Sequence, residues 1–199
     1  MHNIKRHINA LHVGASVVLA CLFGLLPSAA ALANNPSSMP MTQAQQSDNW
    51  EWWPSVGSAS LTWGFWKIYD SELRTPSGEY HSEKQPIALV ITYSRDIDGD
   101  DLLEATVEQW EHLGITKQEI VNWLPEMKGK WPNVREGDRL IYVLNNNAGT
   151  FYYQPFKGAV TLSGQLDNAD LANAFSDIWL SPGTSYPSIR LALIGSKPQ

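Results

Sequence analysis

Cysteine and histidine are scarce in this chain of 199 residues. The single cysteine, Cys21, excludes an intramolecular disulfide and a zinc site built from several thiolates. Of five histidines, only His81 and His112 lie beyond the first 33 residues. A zinc site needs three or four convergent ligands, so we predict neither a metal nor another cofactor.

Positive charge is scarce as well, with 14 Lys and Arg against 20 Asp and Glu. The first 33 residues contain two of the basic residues, Lys5 and Arg6, and no acidic one. The remaining 12 basic and 20 acidic residues give a formal charge of −8. Because phosphate binding needs a basic surface, we expect no nucleic-acid partner. The same charge argues against electrostatic docking on anionic lipid.

One long uncharged and mostly apolar run extends from Ile8 to Leu26. Basic residues precede it, Pro27 and Ser28 end it, and residues 31–33 form a small-x-small cleavage site. This pattern predicts a signal peptide, residues 1–33, cleaved after Ala33. The protein would then be periplasmic or secreted, with no membrane span after cleavage.

Two alternatives for the N-terminus stay open. The apolar run is long for a signal peptide, so it could remain as an uncleaved membrane anchor. Cys21 follows Val18-Leu19-Ala20, which loosely resembles a lipoprotein cleavage box, so Cys21 could instead carry a lipid.

Beyond residue 33 the sequence predicts a flexible tether and one domain. Residues 34–49 are polar and have no apolar period, as is typical of a tether. Residues 50–199 are enough for one domain with its own core.

The hydrophobic pattern predicts strands and helices in separate groups. A long extended segment from Val56 through Leu73, which alternates as far as Phe65 and changes face at a bulge near Gly64, should lie beside a β-rich run, Ile87–Tyr93. Further strands are expected at 139–144, 150–154 and 158–162. Helices are expected at 102–113, from Thr116 to about 131, from a cap at Asp167 or Asn168, and from Pro187 through Leu193. The predicted fold class is α+β, with an antiparallel sheet covered on one face by helices.

The acidic segment 96–101 suggests a cation site at first sight. Gly99 comes too early for an EF-hand loop, however, and the twelfth position is Val107 rather than glutamate. We therefore interpret Asp98 or Asp100 as the N-cap of the helix that follows.

Four sequence blocks stand in an ordered series at 64–73, 89–96, 131–138 and 175–182. Together they resemble the chalcone isomerase-like domain of secreted bacterial proteins, over about residues 55–195. The resemblance implies an open-faced β-sandwich, in which a large antiparallel sheet packs under helices and a ligand cleft lies between them.

The plant enzymes of this superfamily cyclise chalcones with five polar residues, and the resemblance places those positions on this chain. The arginine falls at or near Gly57, and a threonine falls on Tyr69. The tyrosine falls within 97–99, the asparagine on Ala105, and a serine or threonine near Ala172. None is retained in kind. Because the reaction needs a cation to stabilise oxyanion charge, we expect no chalcone cyclisation. Related members bind fatty acids through the same arginine and tyrosine, so their loss also weakens a direct transfer of that function.

A cationic and phenolic group of side chains is the candidate site. Lys67 and Tyr69 are two residues apart on one predicted strand, and Tyr93 and Arg95 are two apart near the next. With suitable register the four form the floor of a cleft for an anionic or phenolic ligand. The alternative is a solvated sheet face or a polar ladder between strands.

The nine tryptophans divide into two groups. We predict these for the core: Trp63, Trp110, Trp123 and Trp179. Trp50, Trp52 and Trp53 either fold over the sheet edge or form a ligand mouth or a membrane-facing lip.

Three functions follow from these observations. The first is a non-catalytic domain that binds a small amphipathic molecule, either a lipid or an aromatic. The second is an isomerase or lyase-type enzyme that uses Tyr69, Tyr93, Lys67 or Arg95 as acid, base or oxyanion group. The third is an envelope protein-interaction module around Trp50. Neither the ligand nor the oligomeric state follows from the sequence.

Overall fold

The structure, a computed structural model, describes residues 49–81 and 86–196. The predicted signal peptide, the possible lipid site at Cys21 and nearly all of the predicted tether lie outside these residues. In the described part the chain forms six strands: β1 (Ser55–Trp63), β2 (Trp66–Arg74), β3 (Ile87–Tyr93), β4 (Arg139–Asn145), β5 (Ala148–Gln154) and β6 (Thr161–Leu166). It also forms four α-helices: α1 (Gly99–His112), α2 (Lys117–Met127), α3 (Ala169–Leu180) and α4 (Pro187–Leu193).

The six strands form one antiparallel sheet in the order β1-β2-β3-β4-β5-β6. The main core lies between one face of this sheet and the helices, and it contains Leu89 and Ile91 from β3 with Trp110 from α1 and Leu171 from α3. The predicted α+β class and the one-sided helical layer are therefore confirmed. No helix within 49–81 and 86–196 is long and apolar enough to cross a membrane.

Aromatic side chains fill the centre of this core. The ring of Phe175 on α3 lies 4.6–5.6 Å, between centroids, from the rings of four others: Trp131, Tyr142, Phe151 and Trp179. Tilted and edge-to-face contacts of this kind add to the free energy gained from burial alone. The sheet and α3 are thus held together largely by one aromatic cluster.

The opposite face of the sheet carries a smaller apolar cluster. A short 3₁₀ turn, Trp50–Trp52, precedes β1. Trp50 and Trp53 are buried against Ala88 and Val90, which point away from the helices, whereas Trp52 is exposed. The expectation that this tryptophan group folds over the sheet is confirmed for two of the three residues, although they cover its outer face rather than its edge.

The extended segment predicted from Val56 through Leu73 is in fact two strands of a hairpin. β1 ends at Trp63, which pairs with Trp66 at the start of β2. Gly64 has a φ of 59°, which a two-residue turn of type II′ requires at this position. The predicted bulge near Gly64 is therefore a turn, and β3 pairs with β2 rather than β1. Trp63, predicted for the core, is half exposed; Trp110, Trp123 and Trp179 are buried as predicted.

The helix ends largely follow the sequence pattern. Thr116 and Glu119 form the predicted capping box, and Asn168 caps α3. Asp98 is the N-cap residue of α1, but its side chain makes no capping hydrogen bond. Instead, Asn133 accepts from the backbone N–H of Gly99 at 2.9 Å. The partner of this helix terminus is thus distant in sequence.

The last strand, β6, begins and ends later in the sequence than predicted. β6 begins at Thr161 rather than Gly158, because the preceding turn is longer than a simple hairpin and includes Lys157 at a φ of 59°. Asn146 and Asn147 also have positive φ, which gives the β4–β5 hairpin a two-residue turn inside the predicted loop.

A buried carboxylate, Asp138, holds together the loops at the end of the sheet near the β1–β2 turn. It accepts hydrogen bonds from the backbone N–H of Arg135 at 2.9 Å, the hydroxyl of Tyr153 at 2.6 Å and the backbone N–H of Phe156 at 2.8 Å. Burial raises the pKa of Asp138, but these hydrogen bonds outweigh it and leave the pKa below its usual value.

Asp138→Asn is expected to lower the free energy of unfolding by about 2 kcal/mol at pH 7, because hydrogen bonds to a charged acceptor are lost. The pKa of Asp138 is lower in the folded state, so its contribution is full above the unfolded value and disappears as pH falls through the folded one. The difference between wild type and variant should therefore shrink below about pH 4. Urea unfolding at several pH values measures this difference in free energy of unfolding, and Asp167→Asn, at an exposed position, is the control. A difference that does not change with pH would contradict the role of the ionised Asp138 carboxylate.

Candidate functional site

Two of the four predicted site residues lie together at the boundary between sheet and helices. Tyr69 on β2 pairs directly with Tyr93 on β3. Their rings meet edge to face with centroids 6.2 Å apart. Their exposed fractions are 8 % and 5 %, so both phenols are inside the fold rather than on an open sheet face.

Helix α3 covers this phenolic pair. The indole N–H of Trp179 donates a hydrogen bond to the Tyr69 hydroxyl at 3.0 Å. Burial raises the pKa of both tyrosines; for Tyr69 the hydrogen bond from Trp179 lowers it and nearby Tyr186 raises it further. Both phenols are therefore protonated at neutral pH, and they can exchange hydrogen bonds with a ligand but cannot serve as bases.

Lys67 does not share a face with Tyr69, and that prediction is wrong. The β1–β2 register pairs Leu61 with Tyr69 but Thr62 with Lys67, so Ile68 is an extra residue in β2. Such a bulge shifts the alternation of side chains along the strand. The ammonium group of Lys67 accordingly lies 2.5 Å from the carboxylate of Asp70, on the outer face, and both side chains are about half exposed.

Arg95 is also separate from the phenolic pair. It follows the end of β3, and its guanidinium carbon lies 4.9 Å from the centroid of the Trp66 ring. This cation–π contact holds Arg95 against the β1–β2 hairpin. The structure thus brings Tyr69 and Tyr93 together and places Lys67 and Arg95 outside the core.

The resemblance assigns the catalytic arginine to Gly57. At this position the backbone at the end of α4 fills the space that a side chain would need. A Cβ atom on Gly57 would lie 2.1 Å from the carbonyl oxygen of Ala192 and 2.8 Å from that of Leu193. The end of α4 therefore packs directly on β1, and no side chain fits there without moving the helix. Glycine at this position is a packing requirement.

Two other positions that the resemblance assigns to catalytic residues are equally unsuited to those roles. Ala105 is exposed on α1, so a polar side chain there would face solvent. Ala172 is fully buried, and its carbonyl accepts a hydrogen bond from the Tyr142 hydroxyl at 2.6 Å. The polar groups at the candidate site are therefore two phenols and an indole.

The outer face of the sheet carries a groove of about 600 Å³. It is open to solvent, and its lining includes Asn49, Trp50, Tyr152, Gln154 and Leu162. The tryptophan group before β1 is the one sequence signal for it, since a ligand mouth was among the expected roles of that group. The lining contains no cation.

The acidic segment 96–101 connects two loops through a hydrogen bond. Asp96 accepts a hydrogen bond from the backbone N–H of Glu136 at 3.0 Å, which joins the loop after β3 to the loop before β4. Within the described residues, no three His, Cys, Asp or Glu side chains are grouped as metal ligands.

Comparison with known proteins identifies the fold of the chain. No protein-family model matches the chain. An uncharacterized protein of Haemophilus influenzae is 27 % identical over 143 residues, which cover 72 % of this chain and 68 % of that protein. A crystal structure of an Arabidopsis thaliana fatty-acid binding protein superposes with a TM-score of 0.51 at 8 % identity, covering 71 % of this chain and 86 % of that one. The chain therefore has the chalcone isomerase-like fold, an open α+β sheet under helices, as the resemblance implied.

Proposed function

We propose that this chain is an exported, non-catalytic member of the bacterial chalcone isomerase-like family that binds a small amphipathic molecule, a lipid or an aromatic, between sheet and helices. The observation that carries the proposal is the buried pair Tyr69 and Tyr93 beneath Trp179. Export rests on the basic start, apolar run and cleavage site of residues 1–33. Family membership rests on the four sequence blocks.

The chemistry of the pair indicates the kind of polar group a ligand would present. Both phenols are neutral at physiological pH, and Lys67 and Arg95 lie outside the core. Neither Lys67 nor Arg95 would neutralise an ionised carboxylate buried there, and an unpaired buried charge is costly. Hydroxyl, carbonyl, phenol or protonated carboxyl groups would instead find neutral hydrogen-bonding partners, and an acyl chain or aromatic ring would pack on the apolar side chains around them.

Two further observations support binding over catalysis. A raised phenol pKa disfavours a general base at position 69 or 93. The packing of α4 on Gly57 leaves no room for the guanidinium that cyclisation needs. The fold neighbour from Arabidopsis is a fatty-acid binding protein, and it supports an amphipathic ligand for this chain.

Tyr93→Phe is expected to weaken ligand binding about fivefold, because one neutral hydrogen bond contributes about 1 kcal/mol. This variant keeps the Trp179–Tyr69 hydrogen bond. Native mass spectrometry of protein purified from its host should first detect a bound molecule, and isothermal titration with fatty alcohols, fatty acids and simple phenols should then rank the ligands, uncharged head groups first.

Tyr152→Phe is the matched control, because that tyrosine lines the outer groove. Loss of binding in Tyr152→Phe but not in Tyr93→Phe would move the site to the outer face and contradict the proposed one. If no ligand is retained and no acyl or phenolic compound binds, the proposed function is wrong.

A further inference from the structure

The β1–β2 turn carries a group of exposed aromatic side chains, Trp63, Phe65 and Trp66, here named the aromatic tip. Phe65 is fully exposed, and Trp63 and Trp66 are 50 % and 57 % exposed. Soluble proteins rarely place large apolar side chains together in water without an interaction to use them. The tip is separate from the phenolic pair, and nothing in the proposed ligand binding uses it.

The tip projects from the sheet. β2 and β3 pair only as far as Tyr69 and Tyr93, with one further backbone hydrogen bond from Ser94 N–H to the carbonyl of Ile68. Residues from Trp63 to Lys67 therefore extend past the pairing with β3. At about 3.3 Å per residue, Trp66 stands roughly 10 Å beyond Tyr69 along the strand. The aromatic tip is thus convex, which suits a broad, soft surface better than the closed pocket of a protein partner.

A second exposed phenylalanine lies at the same end of the sheet. Because the strands alternate in direction, the β5–β6 turn is at the same end as the β1–β2 turn. This second turn presents Phe156, which is 62 % exposed, with the ammonium group of Lys157 4.9 Å from its ring centroid. Arg95 lies in the same way against Trp66. Beside each turn, therefore, a cation is stacked on an exposed aromatic ring.

Aromatic side chains with adjacent long cationic ones match the interface of a phospholipid bilayer. Tryptophan rings settle at the level of the head groups, and lysine and arginine reach from apolar surroundings to the phosphates. We propose that this end of the sheet docks on a membrane surface by inserting the aromatic tip into the head-group region. The acidic net charge of the chain makes apolar contact, rather than attraction to anionic lipid, the driving force.

A fluorophore at position 65 tests this docking in the full chain. Cys21→Ser with Phe65→Cys gives one thiol for a polarity-sensitive label, and vesicles of zwitterionic phosphatidylcholine are the probe. We expect a blue shift, quenching by lipids with nitroxide near the head group, and little change at high salt. Adding Trp63→Ser and Trp66→Ser should weaken the partitioning that this label reports about tenfold or more, through lost apolar contact.

Val121→Cys on α2 is the control, because Val121 is also an exposed apolar residue but lies on a helix. A local label also separates tip insertion from attachment of the chain through its apolar N-terminal run. A label at position 65 that stays in water on vesicle-bound protein overturns the proposal, as does an equal shift at position 121. A shift at 65 produced only by a soluble protein would assign the tip to a protein partner and likewise overturn it.

Discussion

Gly57→Ala is expected to lower the free energy of unfolding by about 3 kcal/mol, the upper range for overpacking, because the new methyl group meets backbone. The Cβ would lie 2.1 Å and 2.8 Å from two carbonyl oxygens at the end of α4. A side chain in the way could rotate, but a carbonyl moves only with its helix. The variant must therefore displace α4 from β1.

Urea unfolding followed by circular dichroism measures this loss, with Gly183→Ala as the matched control. A Cβ on Gly183 would make only ordinary contacts, 3.6 Å from the hydroxyl of Ser181 and 3.8 Å from Leu113, so that variant should stay within about 0.5 kcal/mol of wild type. Equal stabilities of the two variants would contradict the close packing of α4. Gly57→Arg should be more destabilising still, so placing an arginine at this position alone would not create the site of the plant enzymes.

Phe175→Ala is expected to have a larger effect, a loss of about 3–5 kcal/mol, since it removes a buried ring and leaves a cavity. Phe175 contacts four aromatic rings, which lie on β4, on β5, on α3 itself and in the segment after α2. Those rings are themselves packed together, so they can relax only partly into the space. Both α3 and the sheet lose their central contact.

Thermal and urea unfolding measure the loss, and Phe65→Ala provides the control with the same atoms removed. Phe65 is fully exposed, so its replacement should change stability by less than about 0.5 kcal/mol. A small effect of Phe175→Ala would mean that the aromatic cluster is not the main connection between the layers. Phe65→Ala also keeps the fold intact for measurements of membrane docking.

Elements with a strong local signal could be predicted from the sequence. Ile87–Tyr93 is a strand within its predicted bounds, and the capping box at Thr116 begins a helix as expected. The hairpin at Gly64 was missed because a two-residue turn leaves the alternation of apolar residues almost unbroken. Pattern alone then fits one long strand as well as two short ones.

The candidate site was predictable in part for a similar reason. Tyr69 and Tyr93 each lie on a strand, and the hypothesis that they meet required a suitable register, which β2 and β3 have. Lys67 was misplaced because a bulge inserts one residue without a clear sequence signal. The closure over Gly57 comes from the distant end of the chain, which no local pattern encodes. A ligand-binding role for these residues stays a prediction.

The sequential order of the strands has a consequence for how the chain folds. Each strand pairs with its predecessor, so hairpins can form as the chain emerges from its N-terminus, with one long delay between Tyr93 and Arg139 while α1 and α2 are made. The contact of Ala192 with Gly57 is different, because it joins the first strand to the last helix. The face of β1 at Gly57 therefore stays uncovered until α4 has been made, and a chain that stops before α4 exposes that face to other molecules.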